Sequence, residues 1–192
     1  MPLNLGDKTI NIPFSKVYLG SVLKYQKIKN VYFNACPFPT VWTQISSMEY
    51  TATNEYGEWK IHTNIEPYST DYNLHLCVDN NSSSYYRPED MGLNDELTVT
   101  VEFPCLIKPS AIYAKCYAFS SNAVIEGCDE TGNWETLMES FVPSRIDTYD
   151  QTQTITPNKF YTKYRIRSKR FNPSYNKLRL YEFQITSGEI KN

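Results

Sequence analysis

Two segments of this chain set an aromatic ring beside an arginine and a polar side chain: Pro143-Ser-Arg-Ile-Asp-Thr-Tyr149 and Arg170-Phe-Asn-Pro-Ser-Tyr175. An exposed tyrosine face can stack on the apolar side of a polyhydroxylated ring, and a guanidinium can donate paired hydrogen bonds to vicinal hydroxyls or a carboxylate. On this reading Tyr149 and Tyr175 are the stacking surfaces, Arg145 and Arg170 the donors, and Phe171 and Tyr68 further rings, with Trp42, His62 and Tyr72 as other loop candidates. The competing reading is that these rings plug the ends of a β core.

Catalytic constellations are missing. Glu126, Asp129 and Glu130 cluster on a turn, where water keeps carboxylates ionised and untuned for acid or base work. There is no G-x-S-x-G elbow, phosphate-binding glycine loop or H-E-x-x-H pair, so the chain is expected to bind rather than catalyse.

The elements that must position such residues are strands. Aromatic residues make up 15% of the 192 residues, with 16 tyrosines, a profile that suits half-buried β surfaces. Strands are predicted at Thr43–Thr53, Glu58–Thr63, Leu74–Val78, Leu97–Phe103, Ala111–Phe119, Val124–Gly127, Trp134–Met138, Phe160–Ser168 and Leu178–Thr186, with Pro104, Pro109, Pro143, Pro157 and Pro173 between the runs. In the last of these, Leu178 and Leu180 have one parity and Tyr181, Phe183 and Ile185 the other, which calls for a β-bulge near Leu180. Asp129 to Gly132 reads as a hairpin turn, with Trp134 covering the end of the core. Many short strands without crossover helices predict an all-β sandwich or jelly roll.

The formal charge is −2, so bulk electrostatics recruit neither nucleic acid nor an anionic membrane, and no apolar run approaches the length of a membrane helix. The late basic residues alternate with apolar ones, as on the wet face of amphipathic strands. Cys36, Cys77, Cys105, Cys116 and Cys128 form no C-x-x-C pair and lack zinc-ligand spacing. With no secretory signal visible in Met-Pro-Leu-Asn-Leu-Gly-Asp, they are expected to be free thiols of a protein made in a reducing cytosol.

The stretch from Val124 to Leu137, followed by Tyr164-Arg-Ile-Arg167 and Leu180-Tyr-Glu-Phe-Gln-Ile185, resembles the discoidin-like (coagulation factor 5/8 type C) domains and the related family 32 carbohydrate-binding modules. Leu74 to Pro88 is similar to the loop that in those domains often wraps a structural calcium ion. The resemblance implies a galactose-binding-like jelly-roll β-sandwich. It also implies one structural Ca2+ held by Asp79, Ser84 and Glu182, with Tyr85 or Tyr86 as the packing aromatic. Asn80 stands in place of the turn glycine and Asn81 where a second carboxylate is common, so a metal-free Asx/Ser turn is the alternative.

Before Trp42 the character changes. Lys8–Ile12, Lys16–Leu19 and Val22–Tyr25 are short strand candidates that cannot bury their own apolar faces, and Lys27 to Val41 reads as a connector or edge. Ile10 to Tyr25, with its Lys-Val-Tyr-Leu-Gly-Ser core, resembles N-terminal segments of phage tail and fibre proteins. Two units are therefore expected: residues 1–41 as an N-terminal β-strand appendage and residues 42–192 as the sandwich.

Together these resemblances imply a non-catalytic virion component (tail, baseplate or head fibre) assembled in the host cytoplasm. Its partners would be other virion proteins, further copies of itself and host cell-surface polysaccharide. A purely structural decoration or connector protein, and a stand-alone bacterial carbohydrate-binding module, are the alternatives.

Overall fold

The computed structural model describes residues 3–5, 8–10, 16–19, 22–26, 30–34, 37–92, 95–120, 122–140, 148–169 and 178–191, with side chains from residue 31 onward. Two hairpins open the chain. β1 (Leu3–Leu5) pairs with β2 (Lys8–Ile10), and β3 (Lys16–Leu19) with β4 (Val22–Gln26), each a two-stranded sheet separate from the main one.

The body is one ten-stranded antiparallel sheet folded on itself. In chain order its strands are β5 (Asn30–Phe33), β6 (Thr43–Ser46), β7 (Glu49–Asn54), β8 (Gly57–Thr63), β9 (Glu96–Tyr117), β10 (Val124–Cys128), β11 (Trp134–Glu139), β12 (Thr148–Thr154), β13 (Tyr161–Lys169) and β14 (Arg179–Lys191). The 22-residue β9 joins the two layers of a β-sandwich. Its first half, Glu96 to Glu102, pairs with β13, with Thr63 to Lys60 of β8 on its other edge. Its second half, Leu106 to Tyr117, pairs with β14 and β12.

Alternation along β9 explains the layers. Leu97, Val99 and Val101 point into the core from one layer, and Ile112, Ala114 and Cys116 from the other. Trp59, Ile61, Tyr164, Ile166 and Ile125 complete the first layer's inner face, while Leu180, Phe183 and Ile185 complete the second. Two prolines expected between strands lie inside β9 instead. Pro104 sits where the chain leaves one layer for the other, between the Glu102↔Lys163 and Ile107↔Tyr161 pairs, so its missing N–H coincides with a break in the ladder. Pro109 lies opposite Gly188, where a Cβ would stand 2.5 Å from the Lys108 carbonyl oxygen.

The bulge foreseen in the closing strand is present. Leu180 pairs with Cys116 and Glu182 with Lys115, so Tyr181 is the extra residue and core parity passes from Leu180 to Phe183 and Ile185. The Asp129 hairpin also forms. Asp129 Oδ1 accepts from the Thr131 N–H at 2.9 Å, its hydroxyl at 2.6 Å and the Asn133 N–H at 3.1 Å, and Gly132 takes φ +87°.

Four expectations need correction. Leu74–Val78 is not a strand: residues Leu74–Cys77 form a 3-10 turn whose inward residues, Leu74 and Cys77, are three apart. Thr43–Thr53 breaks after Ser46 into the β6–β7 hairpin. Residues 30–34 and 37–41 are joined to the body, since β5 pairs with the end of β14 and Phe38 packs 5.4 Å from Trp59 inside the core. Trp134 does not cover the core, a role that fully buried Trp59 takes; it stands on the outer face of the first layer.

Cys77, Cys105, Cys116 and Cys128 are free thiols, and burial raises the pKa of each. Among the described residues no helix is long and apolar enough to cross a membrane.

Candidate functional site

The bulge at Tyr181 and the loop from Ser69 to Pro88 together build a strip of rings and cations on the outer face of the second layer. The loop docks by a two-way backbone bridge, Tyr86 N–H to the Leu180 carbonyl at 2.8 Å and Leu180 N–H to that of Tyr86 at 2.9 Å. Tyr86 is fully buried, and its hydroxyl donates to the Ile65 carbonyl at 2.6 Å, so this ring is the anchor. Its neighbour Tyr85 therefore points the other way, to the surface.

Four tyrosines follow in sequence across the face. Tyr68 lies 6.4 Å from Tyr72, Tyr72 stacks on Tyr85 at 4.9 Å and 18°, and Tyr85 meets Tyr181 at 5.0 Å. Cations lie over them. The Arg87 guanidinium is 3.6 Å from the Tyr68 ring centroid, Arg179 is 4.8 Å from that of Tyr85 and 5.6 Å from that of Tyr117, and Lys115 is 5.4 Å from that of Tyr181. Contacts of this kind hold a guanidinium and a ring in fixed relation. The Nε atoms of Arg87 and Arg179 are buried without a hydrogen-bond partner. Tyr68 is the open end of the strip, 50% exposed.

Beside the strip lies the loop expected to hold calcium. Asp79 Oδ1 accepts the Asn81 N–H at 2.9 Å, and the Ser84 hydroxyl donates to Asp79 Oδ2 and to the Asn81 carbonyl, both at 2.8 Å. Asn80 adopts φ +61°, the conformation in which glycine is usual and asparagine the next best choice. Glu182 is 1% exposed; its Oε2 accepts from Gln184 at 2.8 Å and its Oε1 has no hydrogen-bond partner. Burial, followed by the nearby Asp79 carboxylate, pushes the Glu182 carboxyl up to about 8. The self-closed Asx/Ser turn and the carboxylate pair thus coexist. Among the described residues no group of three His, Cys, Asp or Glu side chains converges as a metal site.

Solved structures resemble this architecture. A putative chitobiase fragment from Bacteroides thetaiotaomicron superposes with a TM-score of 0.54 at 14% identity, covering 74% of this chain and 93% of that one. Chitosan-binding module 1 of a chitosanase/glucanase from Paenibacillus sp. IK-5 gives 0.53 at 13% identity, covering 69% and 92%. A family 32 carbohydrate-binding module produced by Clostridium perfringens, solved with GlcNAc-α-1,4-galactose, gives 0.51 at 15% identity, covering 65% and 87%. The fold is the galactose-binding-like jelly roll. No family model and no curated protein matches the sequence.

Within this jelly roll the residues expected to bind are not all together. Tyr68 is on the exposed strip. Tyr149, expected on a polar loop, is 4% exposed: it lies in β12 opposite Cys116, belongs to the core cluster, and its hydroxyl accepts from Gln153 Nε2 at 3.0 Å. That corrects its assignment as a stacking surface. β12 escaped sequence reasoning because Thr-Tyr-Asp-Gln-Thr-Gln-Thr carries a single large apolar group, so no alternation was visible. Arg145, Arg170, Phe171 and Tyr175 lie outside the described residues. Asp79, Ser84 and Glu182 do come together with Asn80 and Gln184, whose side chains meet at 3.4 Å. Tyr72, one of the loop candidates, also joins the strip, whereas Tyr85, Tyr181, Arg87 and Arg179 are strip members that sequence reasoning did not assign to binding. The Tyr-Tyr-Arg of 85–87 was the available signal.

Glu126, expected on the turn, lies buried in β10, and both it and Asp129 are held ionised. Burial pushes Glu126 up, but hydrogen bonds from Arg167 and Arg165 outweigh it and hold the carboxyl below the ordinary range. The hydroxyl and N–H of Thr131 and the N–H of Asn133 do the same for Asp129.

Proposed function

We propose that this chain is a non-catalytic carbohydrate-binding protein whose ligand surface is the tyrosine–arginine strip, and that it works as a bacteriophage virion component. The observation that carries the carbohydrate reading is Tyr68, a half-exposed ring backed by the Arg87 guanidinium at 3.6 Å. Such a pair offers a stacking plane and paired donors in one place, the combination that sugar recognition requires. The similar folds support the ligand class, since their names include chitosan-binding modules and one complex with chitotriose. Arg170, Phe171 and Tyr175 remain in the proposal because the chain runs from them directly to Arg179 of the strip, and Arg145 because it precedes β12.

Asp79, Ser84 and Glu182 would hold one structural Ca2+, completed by loop carbonyls. The buried unpartnered Glu182 oxygen suits a hard cation, which would lock the loop carrying Tyr85 and Arg87 against β14. The virion reading rests on the Lys16-Val-Tyr-Leu-Gly-Ser21 resemblance and on two N-terminal hairpins that form their own sheets. Many copies on a particle would give weak single contacts their avidity for host polysaccharide.

A structural protein without a sugar site is the second reading, favoured by Tyr72 and Tyr85 already using one face each on one another. Glycan-array binding followed by titration of the Tyr68→Ala/Tyr72→Ala protein separates the two. A folded wild-type protein that retains no glycan would establish the structural reading.

A further inference from the structure

The strand register lines up a second set of candidate ligand groups on the opposite layer. Across β11, β10, β13, β9 and β8, Trp134, Cys128, Lys163, Glu102 and Lys60 are successive cross-strand partners in one row. Thr136, Glu126, Arg165, Thr100 and His62 form the next. Side chains two apart on a strand share a face, so both rows lie on the outer surface of the first layer. Between them is a cleft of about 340 Å³ that includes His62, Thr100, Glu102, Trp134, Lys163 and Arg165 in its walls.

We infer that this cleft is a second carbohydrate site, for a neutral oligosaccharide lying across the sheet face with Trp134 as its platform; this rests on the carbohydrate reading above. The Arg165 guanidinium lies 3.8 Å from the Trp134 ring centroid and fixes the indole in place. Glu102 lines the cleft, its Oε1 3.1 Å from His62 Nε2 and its Oε2 3.1 Å from Lys163 Nζ. A carboxylate flanked by an amine and an imidazole can accept from one sugar hydroxyl while its neighbours donate to the next. Glu126 takes Arg165 only through Nε, at 2.6 Å, while it holds Arg167 through both Nε and Nη2, so Arg165 is the less fully engaged of the two.

Charge selects the ligand class. Lys60, Lys163, Arg165 and Arg167 are matched by Glu49, Glu102, Glu126 and Glu96, so the face has no surplus to attract a polyanion or a polycation. Stacking and hydrogen bonding remain, which is what a neutral saccharide uses. His62, Glu102 and Lys163 are each about one-third exposed, open enough to exchange water for hydroxyls.

The test is a printed array of neutral, amino and acidic oligosaccharides, then titration calorimetry and tryptophan fluorescence with the best neutral binder. Four proteins are compared: wild type, Tyr68→Ala/Tyr72→Ala, Trp134→Ala and Glu102→Gln. The last keeps the side-chain shape in case Trp134→Ala disturbs folding. Binding that survives in the double tyrosine variant with a change in tryptophan emission, and weakens about tenfold or more in both Trp134→Ala and Glu102→Gln, establishes the cleft. Wild-type binding unchanged in both cleft variants overturns it and leaves the carbohydrate reading intact. No array binding by the wild type removes both.

Discussion

The Arg87 guanidinium sits 3.6 Å from the centre of the Tyr68 ring, although eighteen residues, the buried anchor Tyr86 among them, lie between the two in sequence. This contact joins the two ends of the Ser69–Pro88 loop and leaves the outer part of the Tyr68 ring in water.

Replacing Tyr68 and Tyr72 by alanine should weaken glycan binding by about 1–3 kcal/mol, the range of a true interface anchor. The melting temperature should barely move, because neither ring belongs to the core cluster. Calorimetric titration and differential scanning calorimetry of the same samples check both halves.

Tyr149→Ala should do the reverse. The ring is 4% exposed, and its removal leaves a cavity beside Cys116 and takes the partner of Gln153 away. Urea unfolding should show a loss of about 3 kcal/mol, with glycan affinity of the folded protein unchanged.

Glu182 sets a pH dependence. Its folded-state pKa of about 8 lies above the unfolded value of a glutamate, so the protonated form is the one folding favours. In chelator, its stabilising contribution should be complete below about pH 4 and disappear as pH rises to about 8. Calcium competes with that proton, so added Ca2+ should raise the melting temperature more at pH 8 than at pH 5, and Glu182→Gln should abolish the difference. Melting curves that coincide in calcium and chelator at pH 8 would leave the loop as a metal-free turn.

Glu126 holds two arginines across β10 and β13 with an 8% exposed side chain. Glu126→Ala leaves Arg165 without its carboxylate and Arg167 with Glu96 alone, and should cost about 3 kcal/mol, read by chemical denaturation. Because its folded pKa is depressed, the wild-type contribution should be present above about pH 4.5 and fade as acid protonates it; the alanine variant should lack that acid-side slope.

Gly188→Ala should destabilise by about 2 kcal/mol, since the new methyl meets the Lys108 carbonyl oxygen at 2.5 Å and Pro109 Cα at 3.0 Å, both backbone atoms that cannot turn aside. Thermal unfolding of the variant measures it.

Local pattern by itself determined the strands with clean alternation, β8, β13 and the first half of β9, because side-chain direction there has a period of two whatever surrounds it. It also determined the Asp129 turn and the bulge at Leu180, where Asp and Gly chemistry and a switch of apolar parity act over a few residues. Only tertiary structure decided the rest. Pro104 and Pro109 could lie within β9 because partner strands offered breaks where their missing N–H groups need no acceptor. β12 formed, and Tyr149 went inside, because β9 presented a free edge to a segment with almost no apolar pattern. Trp134 lies on the outer face and Trp59 in the core for the same reason: strand pairing, not composition, chose which face of the sheet each indole occupies. The tyrosine–arginine strip gathers residues from 68 to 181, and such a contact exists only once the loop has docked on β14.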